Sequence, residues 1–227
     1  MKALLLAAGL GTRLRPLTNS LPKCLMPIKG RPLLEIWLDH LSEAGIGPFL
    51  INTHYRSEQV NQFVRKSRYR NKVTLVYESE LLGTAGTLRA NKEFFDGGDG
   101  MLIHTDNYCL LNINEFIDAH INRCQDCLMT MMAFKTDEPN SCGIMVTDEN
   151  GVVIGFHEKV SDPPGNLANA AVYILSSEMI SELPEGRDFS TEIIPSYLNR
   201  IQSYRTDELM IDIGTPEKYR KACSLAK

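Results

Sequence analysis

The chain has 227 residues, with 24 Lys and Arg against 28 Asp and Glu and a formal net charge of −4. That balance excludes a general binder of nucleic acid or anionic membrane, because nothing steers the whole molecule towards polyanions; a phosphate ligand has to be met by local cations. The length predicts a single domain with a full core. No apolar run could span a bilayer, and Met1-Lys2 leads straight into a strand too short for a secretory signal. The expectation is a cytoplasmic protein with neither a nucleic-acid nor a membrane partner. Its six cysteines (Cys24, Cys109, Cys124, Cys127, Cys142 and Cys223) are then reduced thiols. Cys124 and Cys127 form a CxxC, but no second pair completes a zinc tetrad, so they receive no metal role.

In chain order, the apolar run Ala3 to Ala8 reads as a buried parallel strand. It empties into Gly9, Gly11, Thr12, Arg13 and Arg15, with Pro22-Lys23 just beyond. Such a turn can offer backbone N–H groups and a fixed guanidinium to phosphate oxygens, and Lys23 adds a point-like cation. The turn lacks the third glycine of the dinucleotide fingerprint and the Gly-Lys-Ser/Thr of a P-loop. Leu33, Leu34, Trp37, Leu38 and Leu41 then recur at helical spacing, stopped by Gly45. Pro48 to Thr53 is a second strand, and Ser57 is placed to cap a helix bearing Val60, Phe63 and Val64. Val73 to Tyr77 is a third strand, leading to Glu78, Glu80 and the run Leu82-Gly83-Thr84-Ala85-Gly86. Met101 to His104 is a fourth, ending at Thr105-Asp106-Asn107, where open α/β sheets place their ligands. Beyond Cys127, strands are expected at Leu128 to Phe134, Gly143 to Thr147, Val152 to His157 and Ala171 to Leu175, with Asp148 to Gly151 as a hairpin turn. A short helix follows Ser190. The end is strand Leu209 to Ile211, then Asp212-Ile213-Gly214-Thr215-Pro216, with Pro216 at the first position of a last helix. Alternating strands and helices through the first two-thirds predict an α/β fold with a mostly parallel sheet.

As a whole, the stretch Leu5 to Thr18 (LLAAGLGTRLRPLT) with Pro22-Lys23 resembles the signature of the sugar-phosphate nucleotidyltransferases. The resemblance extends over nearly the whole chain. It implies a three-layer α/β/α sandwich of the Rossmann-like, GT-A-like type with a mixed, mainly parallel sheet. Residues 1–227 form one such domain, 1–110 mainly for the nucleotide and 111–227 mainly for the sugar phosphate, with no room for the C-terminal β-helix of many relatives. Leu6, Ala8, Gly9, Gly11, Thr12 and Arg13 would line the nucleotide. Asp106 would hold a magnesium ion, where the family usually has glycine before this acid and this chain has Thr105, and Asp212 within DIGTP would complete the site. Two hard oxygen ligands plus substrate phosphates suit magnesium, which dehydrates reluctantly. Gly83, Thr84 and Ala85 resemble the loop that lies against the nucleobase, with Glu78 or Glu80 accepting the paired N–H donors of a guanine.

On the sugar side the resemblance marks Gly143, Glu158, Lys159 and Asn169, together with Asp106. The family has Glu-Lys-Pro and Asn-x-Gly-x-Tyr at the last two motifs; here Val160 replaces the proline and Ala171 the glycine. The implied reaction joins an NTP, GTP by the look of the base loop, to a sugar 1-phosphate of mannose, heptose or hexosamine type, releasing pyrophosphate. Arg13, Lys23 and Lys159 would stabilise charge on the phosphates. The small-molecule substrates are the expected partners of a monomer or homodimer. Rival readings are a uridylyltransferase for an amino-sugar 1-phosphate and a non-catalytic subunit that senses nucleotide sugars. The retained Arg13, Lys23, Asp106 and Asp212 weigh against the second. A GT-A glycosyltransferase expects a DxD-type motif, and Asp106-Asn107-Tyr108 lacks its second acid.

Overall fold

A computed structural model describes residues 1–226. Its elements begin with β1 (Lys2–Leu6), β2 (Pro27–Ile28), β3 (Arg31–Pro32), α1 (Leu33–Glu43), β4 (Phe49–Thr53), α2 (Ser57–Lys66) and β5 (Val73–Tyr77). There follow α3 (Thr84–Ala90), β6 (Gly100–His104), β7 (Asn107–Cys109), α4 (Ile113–Ile121), β8 (Met129–Lys135), β9 (Gly143–Thr147) and β10 (Val153–Glu158). The chain ends with β11 (Leu167–Leu175), α5 (Ser177–Ser181), α6 (Ile194–Ser196), β12 (Ile201–Arg205), β13 (Met210–Asp212) and α7 (Pro216–Leu225). The fold is α/β, as the alternation predicts. Two compact units interleave in sequence: residues 1–81, 103–111 and the chain from 209 onwards form one, and 82–102 with 112–208 form the other.

In the first unit β1, β4 and β5 pair in parallel, with β4 central. All five residues of β4 are buried, which explains why its apolar residues Phe49, Leu50 and Ile51 run consecutively rather than alternate. Helix α1 buries Leu33, Leu34, Trp37, Leu38 and Leu41, the stripe its spacing predicts. Ser57 is the first residue of α2, not its cap; Arg56 precedes it in a left-handed conformation with φ +52°, and no side chain caps the turn. Thr215 does cap α7, accepting from the Lys218 amide at 3.3 Å, with Pro216 at the first helical position. That arrangement leaves the Asp212 carboxylate free of capping duty. β1 ends at Leu6, two residues before the end of its apolar run, because Ala7 and Ala8 leave the sheet while staying buried.

In the second unit the antiparallel pairs β9–β10, β9–β11 and β8–β11 run side by side, and β12 joins β8 in parallel. The hairpin turn stands where Asp148 to Gly151 predicts it. The Asp148 Oδ1 accepts from the amides of Asn150 at 2.9 Å and Val152 at 2.8 Å, and Gly151 takes φ +77°. β11 begins at Leu167, four residues earlier than its apolar pattern suggests. Its register against β8 shifts between Asn169 and Tyr173, a bulge that breaks the period-2 signal. β7 and β12 are strands that the pattern does not reveal.

Candidate active site

The loop after β1 is shaped by contacts within the first unit. The Ala7 amide donates to Asn52 Oδ1 at 2.7 Å, and Asn52 Nδ2 donates to Glu78 Oε1 at 2.9 Å. Gly11 takes φ +63°, and its carbonyl accepts from the Thr18 hydroxyl at 2.7 Å. A Cβ on Gly11 would stand 3.0 Å from Thr18 Cγ2, so glycine serves both the backbone and the packing there. A Cβ on Gly9 would meet nothing within 4 Å. Thr12 and Arg13 stand exposed on the short 3₁₀ turn Thr12–Leu14, and Leu6 and Ala8 flank the point where the chain leaves the sheet.

Lys23 lies 9% exposed on the 3₁₀ turn Lys23–Leu25, and its Nζ donates to Asp106 Oδ2 at 2.8 Å and to Asp212 Oδ1 at 2.9 Å. Arg13 reaches the other oxygen of Asp212 at 3.9 Å. Two carboxylates and two cations therefore converge beside the glycine loop. Burial alone would lower the Lys23 pKa; the charges of Asp106 and Asp212 and the bonds to both outweigh it, so the ammonium is held charged above its ordinary value. Burial would likewise raise Asp106, but the nearby charges of Lys23 and His104 win and its pKa is lowered. The acids meet because β7 and β13 pair antiparallel, Asp212 opposite Asn107, with the Ile213 amide donating to the Asp106 carbonyl at 3.0 Å. From buried Trp37, Nε1 donates to the Asn107 carbonyl at 2.9 Å and pins that strand to α1. Thr105, the departure from the family glycine, is used locally: its hydroxyl donates to the Leu6 carbonyl at 2.7 Å. Gly214 is a site residue that the motif DIGTP carries without revealing why. A Cβ there would stand 2.8 Å from Asp212 Oδ2 and 3.1 Å from an Arg13 nitrogen.

The base-loop residues are tied up in ways the pattern does not suggest. Glu78 is 4% exposed and bonded to Asn52, whereas Glu80 is exposed. Within the second unit, the Ala85 amide donates to the Arg187 carbonyl at 2.9 Å, and Thr84 Oγ1 accepts from the Phe189 amide at 2.7 Å. A Cβ on Gly83 would lie 2.3 Å from that same Arg187 oxygen. The clearance at Gly83 and the Ala85 amide donor are thus both taken up by the backbone of Arg187.

The second unit carries Gly143, Glu158 and Asn169 on β9, β10 and β11, with Lys159 just past the end of β10. Glu158 lies opposite Gly143, and a side chain at 143 would run into the Glu158 carboxylate and the Phe156 ring, at 2.4 and 2.5 Å. Lys159 Nζ pairs with Glu158 Oε1 at 2.8 Å. Asn169 Nδ2 donates to the Tyr173 hydroxyl at 2.7 Å while its Oδ1 accepts from the Ala171 amide at 2.8 Å. Ala171 takes φ +54°, which shows why the family prefers glycine there.

A family model described as nucleotidyl transferase matches residues 2–227. The chain belongs to that family. A mannose-1-phosphate guanyltransferase of Candida albicans is 33% identical over 96% of this chain, and a mannose-1-phosphate guanylyltransferase of Mycobacterium tuberculosis is 30% identical over 96%. Each match takes in 62% of that relative, so the chain spans about three-fifths of their length. The crystal structure of HddC from Yersinia pseudotuberculosis, complexed with GMP-PN, superposes with a TM-score of 0.84 at 27% identity, covering 100% of this chain and 99% of that one. Among the described residues no helix is long and apolar enough to cross a membrane.

Proposed function

We propose that this chain is a sugar-1-phosphate nucleotidyltransferase that uses GTP. The observation carrying the reading is the buried Lys23 ammonium clasped by Asp106 and Asp212 at 2.8 and 2.9 Å, beside a glycine-rich loop and Arg13. Guanylyltransferase relatives and the GMP-PN complexed in the HddC crystal structure favour guanine as the base. A sugar phosphate oxygen attacks the α-phosphorus of the triphosphate; the new P–O bond forms as the bond to the β-phosphate oxygen breaks, and pyrophosphate leaves with that electron pair. The attacking phosphate is already ionised, so no general base is required. Lys23 keeps its charge throughout and offsets charge on the transferring phosphoryl group, and exposed Arg13 does the same for the triphosphate tail. Lys159, Glu158 and Asn169 are assigned to the sugar phosphate: the ammonium to its phosphate, the carboxylate and amide to sugar hydroxyls.

The donor set fits a magnesium ion. Two hard carboxylate oxygens already converge on one cation, and among the described residues no group of three or more His, Cys, Asp or Glu forms a protein-only cage. Asp106 and Asp212 would hold the ion, which when bound supplies Lewis-acid neutralisation of phosphate charge. The reading places the enzyme in the cytoplasm, as a monomer or homodimer. Pyrophosphate release measured for the four common NTPs against a panel of sugar 1-phosphates tests it, with and without magnesium. GTP with one sugar 1-phosphate should dominate, and Asp106→Asn and Asp212→Asn should each abolish turnover while circular dichroism shows the variants folded. Near-normal turnover in both variants refutes the site; a preference for UTP refutes the base.

A further inference from the structure

Resting on the reading of the glycine loop as a nucleotide site, we propose that Asn52 and Glu78 are positioning residues, a buried relay that fixes where the phosphate loop leaves the sheet. The β1–β4 ladder pairs Leu6 with Asn52 and goes no further. One residue on, the Ala7 amide has lost its strand partner and donates instead to Asn52 Oδ1 at 2.7 Å. Only the oxygen end of the carboxamide can accept from that amide, so Oδ1 faces Ala7 and Nδ2 faces away; the Glu78 carboxyl group receives Nδ2 at 2.9 Å and holds that orientation. Asn52 and Glu78 are 3% and 4% exposed, so water does not compete for either bond.

The relay ends on Ala7, next to Ala8, and these are 7% and 5% exposed; the following residue, Gly9, is exposed. Its effect is thus delivered to the last anchored point before the loop that carries Gly11 and Arg13. A misplacement of about 1 Å at such a point can cost on the order of a hundredfold in rate. This role also differs from a direct reading of the base by Glu78, whose Oε1 is already engaged inside the protein.

The test compares Glu78→Gln, Asn52→Asp and the double variant. In the double variant the carboxyl group introduced at position 52 accepts from both the Ala7 amide and the carboxamide introduced at position 78, so both bonds are restored with carboxyl and carboxamide exchanged. Asn52→Asp, which removes the Nδ2 donor and sets two carboxyl groups against each other, should lower kcat/KM about tenfold or more, alike for GTP and UTP, and speed amide hydrogen exchange in the peptide covering 7–14; Glu78→Gln keeps an acceptor oxygen for Asn52 Nδ2 and should stay within about threefold on both readouts. The double variant should recover both readouts to within about threefold of the native protein. A tenfold change in the GTP-to-UTP ratio in Glu78→Gln with unchanged exchange overturns the proposal in favour of base reading. A double variant that is as impaired, or as poorly folded, as Asn52→Asp also overturns it. If the native protein releases no pyrophosphate with any NTP, the functional reading fails, and the exchange pattern still decides the relay.

Discussion

Gly83→Ala tests whether the glycine before α3 exists for a ligand or for the chain itself. Gly83 stands at φ +82° and ψ 167°, a region that side-chain-bearing residues essentially do not occupy. Forcing alanine into it costs roughly 1–3 kcal/mol. The added Cβ would also sit 2.3 Å from the Arg187 carbonyl oxygen and 2.9 Å from its carbon, both backbone atoms that cannot swing aside as a side-chain end would. Relief requires the 187 segment to retreat, losing the 2.9 Å bond from the Ala85 amide, worth about 1 kcal/mol. Against this, alanine reduces the freedom of the unfolded chain by about 0.4–1 kcal/mol. The net expectation is a destabilisation of about 2–3 kcal/mol, a fall in Tm of roughly 4–12 °C for a chain of this size. Calorimetry or thermal circular dichroism at fixed scan rate reads it. A Tm within about 1 °C of the native protein, accompanied by a raised KM for the nucleotide, would refute the reasoning and return Gly83 to the ligand.

Ala171→Gly should act in the opposite sense, because it relieves the φ +54° strain at a half-buried position; a rise in Tm of about 1–3 °C is expected, and a clear fall contradicts the strain. On the proposed role of its ammonium, acting on charge that develops in the transition state, Lys23→Met should lower kcat by on the order of a hundredfold; a change confined to KM would contradict that role. His120 is 1% exposed, with Nδ1 2.8 Å from the Thr130 hydroxyl, and burial first, then the Arg123 charge, push its pKa down to about 4 against the opposing pull of Asp99. Its folded form holds fewer protons than the unfolded one, so its contribution is complete above pH 6.5 and falls away by about 3 kcal/mol as pH drops to 4. His120→Gln should lose less Tm than the native protein between pH 7 and pH 4.5; equal acid losses would remove His120 from the explanation.

Local patterning carried much of this protein. Strands β1, β4 and β5 and helices α1 and α2 follow from apolar runs and helical spacing, and the hairpin at Asp148 to Gly151 from its turn residues, because those signals lie within a few residues of one another. The glycine loop, Arg13, Lys23, Asp106 and Asp212 were legible as a set through their motifs. What the sequence left undecided were contacts between distant residues and conformations imposed by packing. Lys23 finds Asp106 across 83 residues and Asp212 across 189, and it does so only because β7 and β13 pair. Burial brings Glu78 against Asn52, and the backbone of Arg187 comes close to Gly83. The bulge at Ala171 and the strand β12 escape the pattern for a related reason: a register shift and a parallel edge pairing are set by the neighbouring strand, and one segment read by itself holds no record of its neighbour.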